Sequence, residues 1–254
     1  MPRYLVTLEY RGTDFRGFQK QPGLPTVQGA LEKAILAFTG EETRTYGSGR
    51  TDTGVHAVGQ AVAFDLSGQV DVEKGMRSLN ALLPPGIAVT RLGEVPEDFN
   101  PRREAVWREY RYFIFNRQVP SPVFEEFSFH VPGPLDLPLM EQACRLLEGE
   151  HDFSAFRLKA EDKTTRRTVL RCGLEETYPG LLCVSVRANA FLFRMVRIMT
   201  GALLAVGKGR MSLDELGRHL EGGEKLCADP VPPNGLFLWE VEYPPERLDG
   251  APKY

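Results

Sequence analysis

The chain has 254 residues, 42% of them hydrophobic and 26% charged, and a formal net charge of −3. These are ordinary globular proportions, enough for one large domain or two of about 100–150 residues. No run of about 18 apolar residues occurs, so a helical membrane span is excluded.

From the first residues the chain alternates, with Tyr4, Val6, Leu8 and Tyr10 on one face of a strand over 3–10, so no signal peptide is expected. Thr26 stands at an N-cap position before Val27, Leu31, Ala34, Ile35 and Phe38 at helical spacing, and Gly40 ends that helix. Residues 60–66 alternate again. Asp71 caps a second helix carrying Val72, Met76, Leu79 and Leu83, stopped by Pro84-Pro85, and a strand over 87–95 follows. The first hundred residues therefore read β-α-β-α-β.

A long strand over about 105–116 opens the second half. A proline-rich loop leads to a helix over 137–148, then strands near 166–177 and 181–188. Helices over 191–206 and 212–221 come next, the latter opened by a capping box, Ser212 with Glu215. A last strand places Phe237, Trp239, Val241 and Tyr243 on one face. The pattern predicts an α+β fold with helices on one side of mainly antiparallel sheets. Two domains are expected, 1–104 and 105–254, divided near Asn100-Pro101.

Charge is segregated along the chain. Residues 102–117 carry five Arg against two Glu, residues 157–171 six Arg or Lys against two acids, and residues 187–210 five basic residues against none. Such segments could build a basic face for a polyanion on an acidic body, or scatter over solvated surface. The four cysteines, Cys144, Cys172, Cys183 and Cys227, form no Cys-x-x-Cys pair. They read as buried thiols in a reducing compartment, so the cytoplasm is the expected location.

The densest chemistry lies in Gly47-Ser48-Gly49-Arg50-Thr51-Asp52-Thr53-Gly54-Val55-His56-Ala57. Glycines let a backbone approach a ligand closely, and loops on a rigid scaffold are where catalytic groups gather. The plainer alternative makes Asp52 a turn former bonded to its own backbone. Asp52-Thr53-Gly54 also spells the aspartic-protease triplet. That chemistry needs two carboxylates sharing a proton, and the chain has one such triplet, with the wrong flanks. Gly207-Lys208-Gly209 lacks the spacing of a phosphate loop and reads as a helix end. No His-Glu-x-x-His and no His/Cys cluster occurs, so no metal site is expected.

Within the apolar stretch 190–201, Arg194, Arg197 and Gly201 share one face of a helix. Arginines there must find an anion or snorkel to water. On the strand over about 105–116, Arg108, Tyr110 and Tyr112 project to one side. Tyr110 is either core or an aromatic plate for a base.

Taken together these segments resemble one family. Gly49–Ala57 is similar to the G-R-T-D-x-G-V-H-A loop of the TruA family of tRNA pseudouridine synthases, and Arg108–Tyr112 to its R-x-Y-R-Y strand. Phe191–Arg197 resembles its F-L-x-x-M-V-R helix, His151–Phe156 its H-D-F-x-x-F turn, and Thr26-Val27-Gln28 the opening of its first helix. The resemblance implies isomerisation of uridine to pseudouridine at tRNA positions 38, 39 and 40, in the anticodon stem-loop. It implies Asp52 as the catalytic aspartate, Tyr110 as the tyrosine packing on the target base, and Arg197 as the arginine paired with the aspartate. It further implies a cofactor-free homodimer, each subunit built of two RNA-recognition-like (ferredoxin-like) halves around a central cleft. Arg50, Arg194 and His56 are added as expected substrate contacts. Two segments depart from the pattern: Phe193-Arg194, where an aromatic followed by His or Asn is usual, and Val231-Pro232-Pro233-Asn234-Gly235-Leu236, a variant of A-P-A-x-G-L.

The residue chemistry suits that implication. The reaction breaks the C1′–N1 bond, turns the base and joins C1′ to C5. A single carboxylate can begin it, by attack at C6 or C1′ or by removing a proton. A neighbouring guanidinium favours the ionised form. A base inside a stem must leave the stack, an aromatic can receive it, and Arg50 is placed to fill the vacated position. A non-catalytic RNA-binding module and an aspartyl hydrolase are the alternative classes.

Overall fold

A computed structural model describes residues 1–158, 164–222, 226 and 229–248. The first part of the chain contains β1 (Arg3–Tyr10), α1 (Val27–Thr39), β2 (Thr45–Gly47), β3 (His56–Asp65), α2 (Val72–Leu82) and β4 (Ile87–Val95). The remainder contains β5 (Trp107–Phe115), β6 (Phe129–His130), α3 (Leu137–Leu147), β7 (Gly149–Asp152), β8 (Arg166–Tyr178), β9 (Leu181–Ala188), α4 (Met195–Gly207), α5 (Leu213–Leu220) and β10 (Leu236–Glu242). The fold is mixed α+β, and most strand pairs are antiparallel.

The chain divides into two compact units, Met1–Val106 with Phe237–Tyr254, and Trp107–Leu236. The expected division after residue 104 lies two residues from the first crossing. The last strand, however, returns to the first unit. Its tie is physical: β10 pairs in parallel with β3 at Phe237↔His56 and Leu238↔Ala57. Val106 N–H donates to Glu242 O at 2.8 Å, and Tyr243 OH to Pro101 O at 2.8 Å.

In the first unit β1 lies between β4 and β3, and β2 pairs with β3. Both helices begin where the sequence places their caps. Thr26 Oγ1 accepts from Gly29 N–H and Asp71 Oδ1 from Lys74 N–H, each satisfying a first-turn donor worth about 1 kcal/mol. Gly40, at φ 76°, supplies the left-handed stop of α1. Tyr4, Leu8, Leu31, Ile35, Leu79 and Phe99 fill the core, each large aliphatic contributing roughly 1.5–3 kcal/mol by its burial.

In the second unit the antiparallel order is β5-β9-β8-β7. The capping box at Ser212 and Glu215 is present. Cys144, Cys172 and Cys183 are free and buried; Cys227 lies outside the described residues. Helix α4 is buried along most of its length. It begins at Met195, not at 191, because Arg194 takes a left-handed backbone at φ 61° and ψ 14°. No helix can run through that conformation. Arg194 therefore precedes the helix and does not share a helical face with Arg197. Among the described residues, no helix is long and apolar enough to cross a membrane.

Candidate active site

In the first unit, Asp52 sits in the connection between β2 and β3, and backbone groups on both sides of it are fastened. Val55 N–H donates to Asp52 O at 3.1 Å, closing a tight turn whose third residue is Gly54 at φ 80°. Only glycine adopts that conformation without strain. Phe18 N–H donates to Thr51 O at 3.1 Å, and the buried Thr51 hydroxyl meets Tyr10 OH at 2.8 Å. Ser48 Oγ donates to Gln60 Oε1 at 2.6 Å, and Gln60 Nε2 returns to Gly49 O at 2.9 Å. The loop is thus pinned from β1, from the segment after it and from β3. Asp52 itself is half-buried and Arg50 is exposed.

His56 was expected among the substrate contacts, and the structure corrects this. The ring is 1% exposed. Its Nδ1 accepts from Gly12 N–H at 3.1 Å, and the ring stacks on Phe237 at 4.6 Å between centroids. An accepting Nδ1 fixes the neutral tautomer with its proton on Nε2. Gly12 lies so close that a Cβ there would stand 2.0 Å from Val55 O. His56 therefore anchors the carboxylate loop from behind.

In the second unit β5 places Tyr110, half-buried, with its ring edge-on to Phe191 at 5.0 Å. Tyr112, on the same face, is wholly buried and donates its hydroxyl to Pro232 O at 2.8 Å. Burial pushes the Tyr112 phenol well above its ordinary range, and the nearby Arg197 only partly opposes this. Arg197, 8% exposed in the first turn of α4, donates Nε to Val231 O at 2.7 Å. A buried guanidinium so apolar in its surroundings needs such acceptors. The Arg194 guanidinium lies over the Phe193 ring at 5.1 Å.

On the opposite face of β5, Glu109 is buried and receives Arg187 at 2.7 Å and Arg111 at 2.9 Å. Burial alone would raise the Glu109 carboxyl; the two guanidinium hydrogen bonds outweigh it and hold the group below its usual range. Arg187 also lies 3.8 Å from the Trp107 ring centroid. Arg166 pairs with Glu150 at 2.9 Å. Several arginines of the basic segments are thus met inside the unit, which reduces the charge left for a partner.

Residues 7–102 and 143–244 match the family described as tRNA pseudouridine synthase. Proteins named tRNA pseudouridine synthase A are similar over nearly the whole chain. The protein from Listeria monocytogenes is 38% identical, covering 96% of this chain and all of its own length. Those from Chloroflexus aurantiacus and Neisseria meningitidis are 43% and 41% identical, covering 94% and 95% of this chain and 88% and 92% of their own. The chain belongs to the tRNA pseudouridine synthase family. Its members are isomerases that convert uridine to pseudouridine, so the single Asp-Thr-Gly triplet is not half of a protease.

Three features of this synthase were not legible beforehand. The Tyr10–Thr51 hydroxyl pair joins residues 41 apart in sequence. The Arg197–Val231 and Tyr112–Pro232 bonds span 34 and 120 residues. The segment Val231–Leu236 was visible beforehand only as a variant of A-P-A-x-G-L, with no tie to the catalytic set.

Proposed function

We propose that this chain isomerises uridines 38, 39 and 40 in the anticodon stem-loop of tRNA, with Asp52 as nucleophile. The observation that carries this reading is the fastened, half-buried Asp52 loop. It holds one carboxylate in fixed geometry with an exposed arginine two residues away, as pre-organised chemistry requires. The carboxylate adds to the substrate at C1′ or C6, the C1′–N1 bond breaks and the uracil turns; C5 then joins C1′, the bond to the carboxylate breaks to regenerate Asp52, the C5 proton leaves to solvent and N1 gains one. No oxidation state changes overall, so the reaction requires no electron carrier. Arg197 takes the role the resemblance implies, the arginine that pairs with the catalytic aspartate. Tyr110 receives the flipped base on its ring, Arg50 enters the place the base leaves, and Arg194 meets the RNA backbone.

Each unit is read as one RNA-recognition-like half, supported in the first by the antiparallel order of β4, β1 and β3 with two crossing helices. The synthase works as a twofold dimer in the cytoplasm. A 28.5 kDa chain is about 40 Å across by ordinary size scaling, short for gripping both the anticodon arm and the body of a tRNA. Twofold dimers are the commonest soluble assembly.

Mapping the product on unmodified tRNA transcripts that carry uridine at 38, 39 or 40 tests the assignment. Pseudouridine at each of the three positions is expected; modification confined to other positions would overturn it.

A further inference from the structure

We infer that Tyr112 is a positioning residue for the reaction, acting through the segment 231–235 to hold Arg197 in one orientation. The inference rests on the role proposed above for Arg197. Arg197 and Val231 are joined twice: Arg197 Nε donates to Val231 O at 2.7 Å, and Val231 N–H donates to Arg197 O at 3.3 Å. A guanidinium pinned along its Nε edge delivers its terminal N–H groups in a single plane. The position of the Val231 carbonyl thus helps to set the orientation of Arg197.

The segment that carries that carbonyl is held at three points. Tyr112 OH donates to the next carbonyl, Pro232 O, at 2.8 Å. Gly235 lies flat on the Tyr112 ring, where a Cβ would come within 2.8 Å of Cζ and 2.7 Å of Phe113 O. Asn234 Nδ2 donates to Glu125 O and Ser128 O at 2.8 and 2.9 Å. Prolines at 232 and 233 stiffen the span between these ties. The phenol has only a carbonyl to meet at this contact, so it must stay a donor, and its burial keeps the proton on. Tyr112 and Tyr110 thus divide the work of one strand face. Tyr110 is available to the base, and Tyr112 holds the frame in which the arginine is presented.

The test is steady-state kinetics on tRNA with Tyr112→Phe, which keeps the ring and deletes the hydroxyl, and with Asn234→Ala, which loosens the segment from outside the core. Tyr112→Phe is expected to lower kcat about tenfold, the worth of one buried hydrogen bond expressed as a rate, with KM changed less than about twofold. Asn234→Ala should shift kcat in the same direction by a few-fold. In an Arg197→Lys background, which lacks Nε, single-turnover rates should show little further loss from Tyr112→Phe. A merely structural tyrosine would lower thermal stability and leave kcat per folded enzyme unchanged. If both variants keep wild-type kcat while Arg197→Ala is crippled, the positioning role is wrong. If Arg197→Ala itself turns over at the wild-type rate, the underlying reading of Arg197 falls first. Should Tyr112→Phe not fold, the Asn234→Ala result decides alone.

Discussion

Two charged side chains carry the proposed chemistry, and the protein holds them in opposite ways. Asp52 is kept half-buried on a short loop between the buried Thr51 and Val55. The loop gains its fixity from backbone hydrogen bonds at Thr51, Asp52 and Val55 and from the His56 anchor. Arg197 is buried within an apolar helix, where packing fixes the backbone and a distant carbonyl fixes the guanidinium. The difference follows from what each group must do. A nucleophile has to meet substrate and so cannot be sunk in the core, whereas a counter-ion acts through its field, and that field is stronger away from water.

Removing the buried partner should have the largest effect on rate. Arg197→Ala is expected to reduce kcat by about 100-fold or more while tRNA affinity stays within several-fold, because an interaction needed at the reacting centre is lost and the RNA contacts are kept. Filter binding beside turnover measurements checks the split. Disturbing the loop from behind comes next. Gly12→Ala sets a Cβ against Val55 O, so backbone must move; a loss of about 2–4 kcal/mol in unfolding free energy and at least a roughly tenfold fall in kcat are expected. Denaturant titration and kinetics on the same preparation separate the two.

Glu109 sharpens the comparison, since it is a buried charge with no proposed part in catalysis. Its folded-state carboxyl lies below the unfolded value. The stability it gives is therefore complete above about pH 4.5 and is lost as pH falls through the folded value. Glu109→Gln should remove that acid step from the stability profile. It should also cost about 1–3 kcal/mol at neutral pH by leaving Arg111 and Arg187 without their shared carboxylate. Turnover per folded molecule should not change. The smallest effect is expected from Thr51→Val, which deletes the hydroxyl facing Tyr10: about 1 kcal/mol of stability and a few-fold in kcat, read by thermal melting and initial rates.

Much of the fold was legible because its signals are local. The caps at Thr26, Asp71 and Ser212 and the stop at Gly40 rest on side chains a few residues from the groups they serve. The short strands β2, β6 and β7 were not legible, since two to four residues carry too little periodicity. The start of α4 was misplaced because nothing in Phe193-Arg194-Met195 announces a left-handed arginine. The return of β10 to the first unit depends on pairing between residues 181 apart, Phe237 and His56. As candidates for the site, Asp52, Tyr110 and Arg197 stand out because they lie in dense motifs. The groups that fasten their surroundings, Val231 at Arg197, Pro232 at Tyr112 and Tyr10 at Thr51, are distant in sequence and neutral in type. His56 was misread for the same reason: a histidine beside a catalytic loop looks like a ligand contact until its burial behind Gly12 and against Phe237 is seen.

The central claim is that the Asp52 carboxylate begins the isomerisation, and release of tritium from tRNA labelled at C5 of uridine measures it most directly. Wild-type protein should release label stoichiometrically with pseudouridine formed. Asp52→Asn, which keeps the side chain's shape and removes its charge, should bind the tRNA within several-fold of wild type and release less than about one per cent as much label. Release by Asp52→Asn at a rate near that of the wild type would contradict the account.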